Sequence, residues 1–186
     1  MSNQFSKIIS IGSYLPEKIL TNHDLEKLVD TSHEWIFERT GINQRHIANE
    51  KESSVDMAYN ASLISIERSG KSLEEIDMII VATTTPERGF PSTAVLLQNK
   101  LGIEDCFAFD INAACTGFIY ALDIADKYIR NNSVTNVLVV GTEKMSTLVD
   151  WNDRNTCVLF GDGAGAMVLT ASDEAGIIST TIGSNG

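Results

Sequence analysis

The chain has 186 residues, 43 % of them hydrophobic and 21 % charged, and a formal net charge of −11. That length suffices for one domain with a real core, or for two small ones. The acid excess argues against nucleic-acid binding, whose affinity rests on neutralising phosphates, so any anionic ligand must find a local cluster of Arg or Lys. No run of about 18 apolar residues is present, so no membrane span is encoded. Met1–Phe5 has neither the basic start nor the apolar run of a signal peptide. Cys106, Cys115 and Cys157 show neither scaffold nor CxxC spacing. They read as reduced thiols of a cytoplasmic protein, without a metal site.

In chain order, Lys7–Ser13 reads as a strand that turns at Gly12 and Pro16. Thr21 and Asn22 offer an N-cap for a short helix over Asp24–Val29. Thr31 or Ser32 caps a second helix over Glu34–Arg39, closed by Gly41. Ser53 and Asp56 form a capping-box pair for a helix that stops at Gly70. The nearly all-apolar run Asp77–Thr84 has the character of a strand buried on both faces. Ser92 or Thr93 opens a helix through Lys100, ended by Gly102. Cys106–Ile111 is a strand, Cys115–Asn131 a helix, and Val137–Gly141 a second buried strand. Ala164–Thr170 and Ile177–Ile182 read as two further strands forming a terminal hairpin. Strands alternating with helices give an α/β fold with a parallel-rich sheet.

Asn112–Phe118 (NAACTGF) carries the strongest chemical signal. Cys115 lies between a strand and an amphipathic helix, with the small residues Ala113 and Gly117 two positions away on either side. That is the small-x-nucleophile-x-small logic of a nucleophile elbow, with Cys in place of Ser. Free N–H groups and the positive helix end favour a thiolate and can donate to an oxyanion. The residues alone leave a second reading open, in which Cys115 is a small buried apolar side chain. Cys106 and Cys157, in apolar strand-like runs, read as structural.

Phe160–Ala166 (FGDGAGA) lacks the spacing of a dinucleotide or phosphate loop, and a strand follows it. Its glycines read as sites of close backbone approach, with Asp162 binding neighbouring N–H groups. Trp35 and Arg39, four apart, share a helix face. Arg154 lies in the polar segment Asp150–Asn155. Aromatic and guanidinium planes of this kind can stack on a nucleobase, although each residue taken alone reads first as a surface or packing residue.

With these pieces in hand the chain resembles the N-terminal half of the β-ketoacyl-acyl-carrier-protein synthase III family, the condensing enzymes that start bacterial fatty-acid synthesis. The matching stretches are Gly12–Pro16, Thr31–Ala48 (TSHEWIFERTGINQRHIA), Val81–Ser92, Phe109–Leu122 (FDINAACTGFIYAL), Asp153–Ala166 (DRNTCVLFGDGAGA) and Gly176–Thr180. The resemblance implies a thiolase-like fold, of which residues 1–172 would be one half: a five-stranded mixed, mostly parallel sheet flanked by helices. Residues 173–186 would begin the connection to a second half. It implies that Cys115 is acylated by acetyl-CoA or another short acyl-CoA, and that the acyl-enzyme condenses with malonyl-acyl-carrier protein with loss of CO₂. Trp35 and Arg154 match the pair that sandwiches the CoA adenine, and Thr31 and Arg39 match further CoA contacts. Phe90 matches a residue that enters the acyl pocket of the other subunit of a homodimer, and Met145 and Leu159 join it at that pocket. Acyl-CoA is a substrate, so no cofactor and no metal are expected.

The family's decarboxylating His and Asn have no counterpart here, since His23, His33 and His46 all precede residue 50. The expectation is therefore a piece of a longer protein that does not condense substrates alone. Two rivals remain. One is a sister thiolase-fold condensing enzyme, such as a hydroxymethylglutaryl-CoA synthase or a polyketide chain starter. The other is a non-catalytic half-domain that binds CoA or dimerises.

Overall fold

Residues 4–185 are described by a computed structural model. Five strands form the central sheet: β1 (Phe5–Tyr14), β4 (Met78–Ala82), β5 (Phe107–Ile111), β6 (Asn136–Lys144) and β7 (Asp162–Ser172). Their spatial order is β1-β7-β6-β4-β5. β4 pairs parallel with both β5 and β6, whereas β7 runs antiparallel between β6 and β1. Four strands thus share a direction and only β7 opposes them, so two of the four pairings are antiparallel. The expected mixed sheet is present, with less parallel pairing than the sequence suggested.

The apolar runs alternate between two cores, as the period of a strand requires. Ile79, Val81, Leu138 and Val140 face one side, where α3 (Ser54–Ser69) and α4 (Thr93–Leu101) supply Ala58, Ala61, Ala94 and Leu97. Met78, Ile80, Val137 and Val139 face the other, against Ala121, Ala125 and Ile129 of α5 (Gly117–Arg130). All of these side chains are buried, which is why the strands read as continuous apolar runs rather than alternating ones.

The helix boundaries follow their caps. Ser53 accepts from Asp56 N–H while Asp56 returns the bond to Ser53, and Gly70 closes α3 at φ 69°. Ser92 caps α4 and Gly102 ends it at φ 74°. The left-handed conformation at both C-caps is the one glycine adopts without strain.

Two expectations fail. Ile177–Ile182 forms no strand. β7 is already hydrogen-bonded on both sides, by β1 and β6, so no free edge is left for a hairpin partner. The segment instead lies across the α5 face, where Ile177 N–H donates to Ser6 O, Arg130 donates to Ile177 O, and Tyr120 OH donates to Gly183 O. The second miss is the two-stranded sheet of β2 (Lys18–Thr21) and β3 (Gln44–Ile47), which four-residue strands rich in charge do not announce. This small sheet, with α1 (Asn22–Leu25) and α2 (His33–Thr40), builds a third core of Leu25, Ile36, Cys157 and Val158.

Candidate active site

The parallel strands β5, β4 and β6 end level with one another, with Ala82 opposite both Ile111 and Gly141. Segments that follow them therefore emerge at one edge of the sheet, where α/β folds place their ligands. Cys115 follows β5, the Thr83–Phe90 loop follows β4, and Met145 follows β6 beyond Lys144.

The expected elbow is present. After β5 the chain makes one 3-10 turn over Ala114–Thr116 and enters α5 at Gly117. Cys115 is exposed at this turn, which removes the reading of it as a buried apolar side chain. Backbone strain falls on the neighbouring Ala114, at φ 46°, a conformation that costs a non-glycine residue roughly 1 kcal/mol. At Gly117 an added Cβ would make only ordinary contact, 3.5 Å from the Ala82 Cβ. At Gly141 a Cβ would come within 3.1 Å of the Phe118 ring. Gly141 thus lets the Phe118 ring, in the first turn of α5, sit down on the end of β6 beside the turn that carries Cys115.

The other cysteines differ. Cys106 is half-buried, and burial, with Asp105 and Asp77 nearby, pushes its thiol up to about 11. Cys157 is buried at the end of the short helix α6 (Arg154–Cys157), not in a strand-like run. Burial, with Asp153 next, raises its thiol as well.

Trp35, Arg39 and Arg154 come together although they are distant in sequence. The Arg154 guanidinium lies 4.3 Å from the Trp35 ring centroid and that of Arg39 lies 4.5 Å away, both cation–π distances. Arg154 also donates to Asp30 O at 2.8 Å. Its position follows from α6, whose N-cap Asp153 accepts from Asn155 N–H. That bond and the Thr156 hydroxyl hold the Asp153 carboxyl below the usual range. A base entering between Trp35 and Arg154 must displace the guanidinium from the ring. Thr31, just ahead of the Ser32 cap, has a buried hydroxyl with no hydrogen-bond partner among the described residues.

The residues assigned to the acyl pocket are all accessible to some degree. Phe90 is 88 % exposed and Leu159 46 %, and Met145 is half-buried at the start of a 3-10 turn. Among the described residues no group of three or more His, Cys, Asp and Glu is placed to hold a metal ion, and no helix is long and apolar enough to cross a membrane.

The glycine segment has the structural role read from its composition. Asp162 is 4 % exposed; it accepts from Ala48 N–H and Ser146 N–H, each at 2.8 Å, and from the Ser146 hydroxyl at 2.6 Å. It therefore ties the strand after Phe160 to β3 and to the turn carrying Met145. At Gly161 a Cβ would meet the Arg45 Cβ at 2.8 Å and His46 O at 3.0 Å, so the two chains touch backbone to backbone. Asp162→Asn puts an amide donor among three donors; urea denaturation is expected to show a loss of about 3 kcal/mol.

Sequence reading gave no role to Arg45 or Glu143, and to Asn22 only that of a candidate N-cap, a place Thr21 takes. Arg45 is 5 % exposed; it donates to Leu20 O, Asn22 Oδ1 and Val158 O. Burial lowers its proton affinity. Glu143 accepts from Thr84 N–H and from the Thr84 and Thr85 hydroxyls, fixing the turn that leads towards Phe90. No sequence signal marks them, because a buried charge is recognised only by the partners the fold brings to it.

The family model for 3-oxoacyl-[acyl-carrier-protein] synthase III matches residues 109–186. The β-ketoacyl-[acyl-carrier-protein] synthase III of Xanthomonas euvesicatoria is 56 % identical over 182 residues, 98 % of this chain and 56 % of that protein. The crystal structure of 3-oxoacyl-[acyl-carrier-protein] synthase III from Aquifex aeolicus superposes with a TM-score of 0.89 at 57 % identity, covering 91 % of this chain and 55 % of that one. The priming β-ketosynthase of the R1128 polyketide pathway superposes with a TM-score of 0.91 at 38 % identity, covering 94 % of this chain and 52 % of that one. The chain thus spans a little over half the length of the curated relatives it matches, and it belongs to the β-ketoacyl-[acyl-carrier-protein] synthase III family of thiolase-fold enzymes.

Proposed function

We propose that this chain supplies the acyl-accepting half of a condensing site that starts fatty-acid synthesis. The observation that carries the reading is an exposed thiol, Cys115, at a strand-to-helix turn on the carboxyl edge of parallel strands. The Cys115 thiolate attacks the thioester carbonyl of acetyl-CoA or another short acyl-CoA. The carbonyl oxygen becomes an oxyanion, facing N–H groups at the entrance of α5. Its collapse expels the CoA thiolate, which takes up a proton, and leaves an acyl group on Cys115.

In the second stage malonyl-acyl-carrier protein loses CO₂. The electron pair of the broken C–C bond forms an enolate that attacks the Cys115 thioester and returns the thiolate. The acyl-CoA is substrate throughout, and the reaction as written uses no cofactor or metal. Thr31, Trp35, Arg39 and Arg154 hold the CoA nucleotide. Phe90, Met145 and Leu159 shape the acyl pocket, with Phe90 entering that of a second copy. Among the described residues β5 is an edge strand with one side of its ladder unpaired, which suits pairing with its twin in a homodimer.

No histidine follows His46, so the decarboxylating step is assigned to residues outside this chain. An assay of the 186-residue chain with acetyl-CoA and malonyl-acyl-carrier protein is expected to give no condensed product; clear product overturns that assignment. The first stage is tested by peptide mass spectrometry after incubation with acetyl-CoA. The acetyl group is expected on Cys115 and not on Cys106 or Cys157. CoA binding without acetylation supports instead a non-catalytic CoA-binding half-domain. A polyketide chain starter shares this chemistry and differs in primer, so a preference for bulky primers supports that reading. Trp35→Ala is expected to weaken CoA binding by calorimetry about tenfold, through loss of the ring face on which a base stacks.

A further inference from the structure

α2 presents Trp35 and Arg39, and its first residue is His33. The His33 ring contacts a buried amide. Asn22 is fully buried, and two independent partners fix which way its amide points. Arg45 Nη1 lies 3.0 Å from Asn22 Oδ1, and a guanidinium can only donate. Ile42 O lies 2.6 Å from Asn22 Nδ2, and a carbonyl can only accept. The remaining N–H of Nδ2 points at His33 Nδ1, 3.3 Å away. His33 Nδ1 must therefore be the acceptor, which requires a ring without a proton on that nitrogen.

We propose that His33 is a positioning residue for the nucleotide clamp, and that the clamp is assembled only while His33 is neutral, which makes CoA binding weaken as the pH falls. This rests on the reading above that Trp35, Arg39 and Arg154 hold CoA. Protonation at Nδ1 sets an N–H against the N–H of Asn22 and places two cations, His33 and Arg45, on either side of one amide. From α1, the His23 ring stacks on His33 at 5.0 Å between centroids, so a charge on both rings is repulsive. Glu26, also beside α1, attracts a charge on either ring, but neither of its oxygens is bonded to the His33 ring. One of its oxygens accepts from the His33 backbone N–H at 2.6 Å and the other faces His23 Nδ1 at 3.3 Å. On α2 itself the ring stacks on Phe37 at 5.9 Å, and the positive end of the helix opposes a further cation.

The consequence reaches the clamp through two residues of chain. His33 opens the turn in which Ser32 caps Trp35 N–H, and Arg154 spans from the Trp35 ring to Asp30 O, two residues ahead of that cap. When the Asn22–His33 bond is lost, the first turn of α2 is no longer pinned to the buried Arg45, and the ring leaves its place against Arg154.

The test is calorimetric titration of CoA into the 186-residue protein from about pH 8 to about pH 5.5, the range in which imidazole titrates. His33→Asn is measured beside wild type; its Oδ1 can accept from Asn22 but cannot titrate. Titration of the CoA phosphates is common to both proteins and cancels in their ratio. Wild-type affinity is expected to fall about three- to tenfold more than that of His33→Asn. Matching pH profiles overturn the proposal while leaving the clamp intact. Absence of CoA binding by wild type at about pH 8 removes the clamp reading itself and the proposal with it. Histidine ¹⁵N spectroscopy of wild type tests the geometry without any variant. A bare Nδ1 on His33 near pH 8, with the proton on Nε2, is expected; a proton on Nδ1 overturns the proposal.

Discussion

Cys115→Ser is expected to slow acetylation of the protein by acetyl-CoA by about 10³-fold or more, while CoA affinity stays at the wild-type value. The substitution is nearly isosteric and the position is exposed, so the fold loses little. What changes is the nucleophile. Sulfur is intrinsically the far stronger nucleophile towards a thioester carbonyl. A serine hydroxyl at the same place needs a general base to lose its proton. No histidine follows His46 in this chain to serve as one. The readout is the rate at which intact mass increases by one acetyl group. Cys106→Ala serves as the control, since burial holds the Cys106 thiol near 11 and the variant should acetylate as wild type does. A wild-type rate for Cys115→Ser would place the reactive group elsewhere.

Gly12→Ala carries the largest expected cost in stability. Gly12 lies in β1 where the strand crosses under α3. A Cβ there would stand 2.2 Å from Ala61 O and 2.6 Å from Ser65 N. Both are backbone atoms of the helix, so no side-chain rotation relieves the overlap and α3 must lift from the sheet. The same helix packs on β7 and β6 as well as β1 and contributes Ala58 and Ala61 to the larger core. The loss is expected to be about 4 kcal/mol, seen as a fall of about 10 °C in Tm for a chain of this size. Gly89→Ala is the matching control, because nothing lies within 4 Å of its added Cβ, and its Tm should be unchanged. Equal melting of Gly12→Ala and wild type would show that strand and helix do not approach this closely.

The two variants mark what each level of description supplies. The turn at Cys115 was legible in the sequence because its signal is local: a strand, two small flanking residues and an amphipathic helix occupy about 25 consecutive positions. Helix ends were legible for the same reason. Ser53 with Asp56, Ser92, Gly41, Gly70 and Gly102 each act within one turn of the chain. The buried strands were legible because apolar runs of five or so residues have few other uses.

Gly12 was read only as a turn marker, since the helix that excludes a side chain there begins more than forty residues later. The terminal hairpin was misread because the alternation of Ile177–Ile182 carries no information about whether a sheet edge is free. Trp35, Arg39 and Arg154 could each be named, but residue types alone do not say that two guanidinium groups meet one indole ring. The sequence by itself determined most of the elements, the helix caps and the strand-to-helix turn that carries Cys115, all of which depend on interactions between near neighbours. The tertiary structure decided which buried polar groups find partners. Asp162 among three donors, and Arg45 reaching His33 through Asn22, are contacts between segments 16 to 114 residues apart and between β3, α1 and α2 respectively. Desolvation makes such groups costly unless paired, and that pairing exists only once the chain has closed on itself.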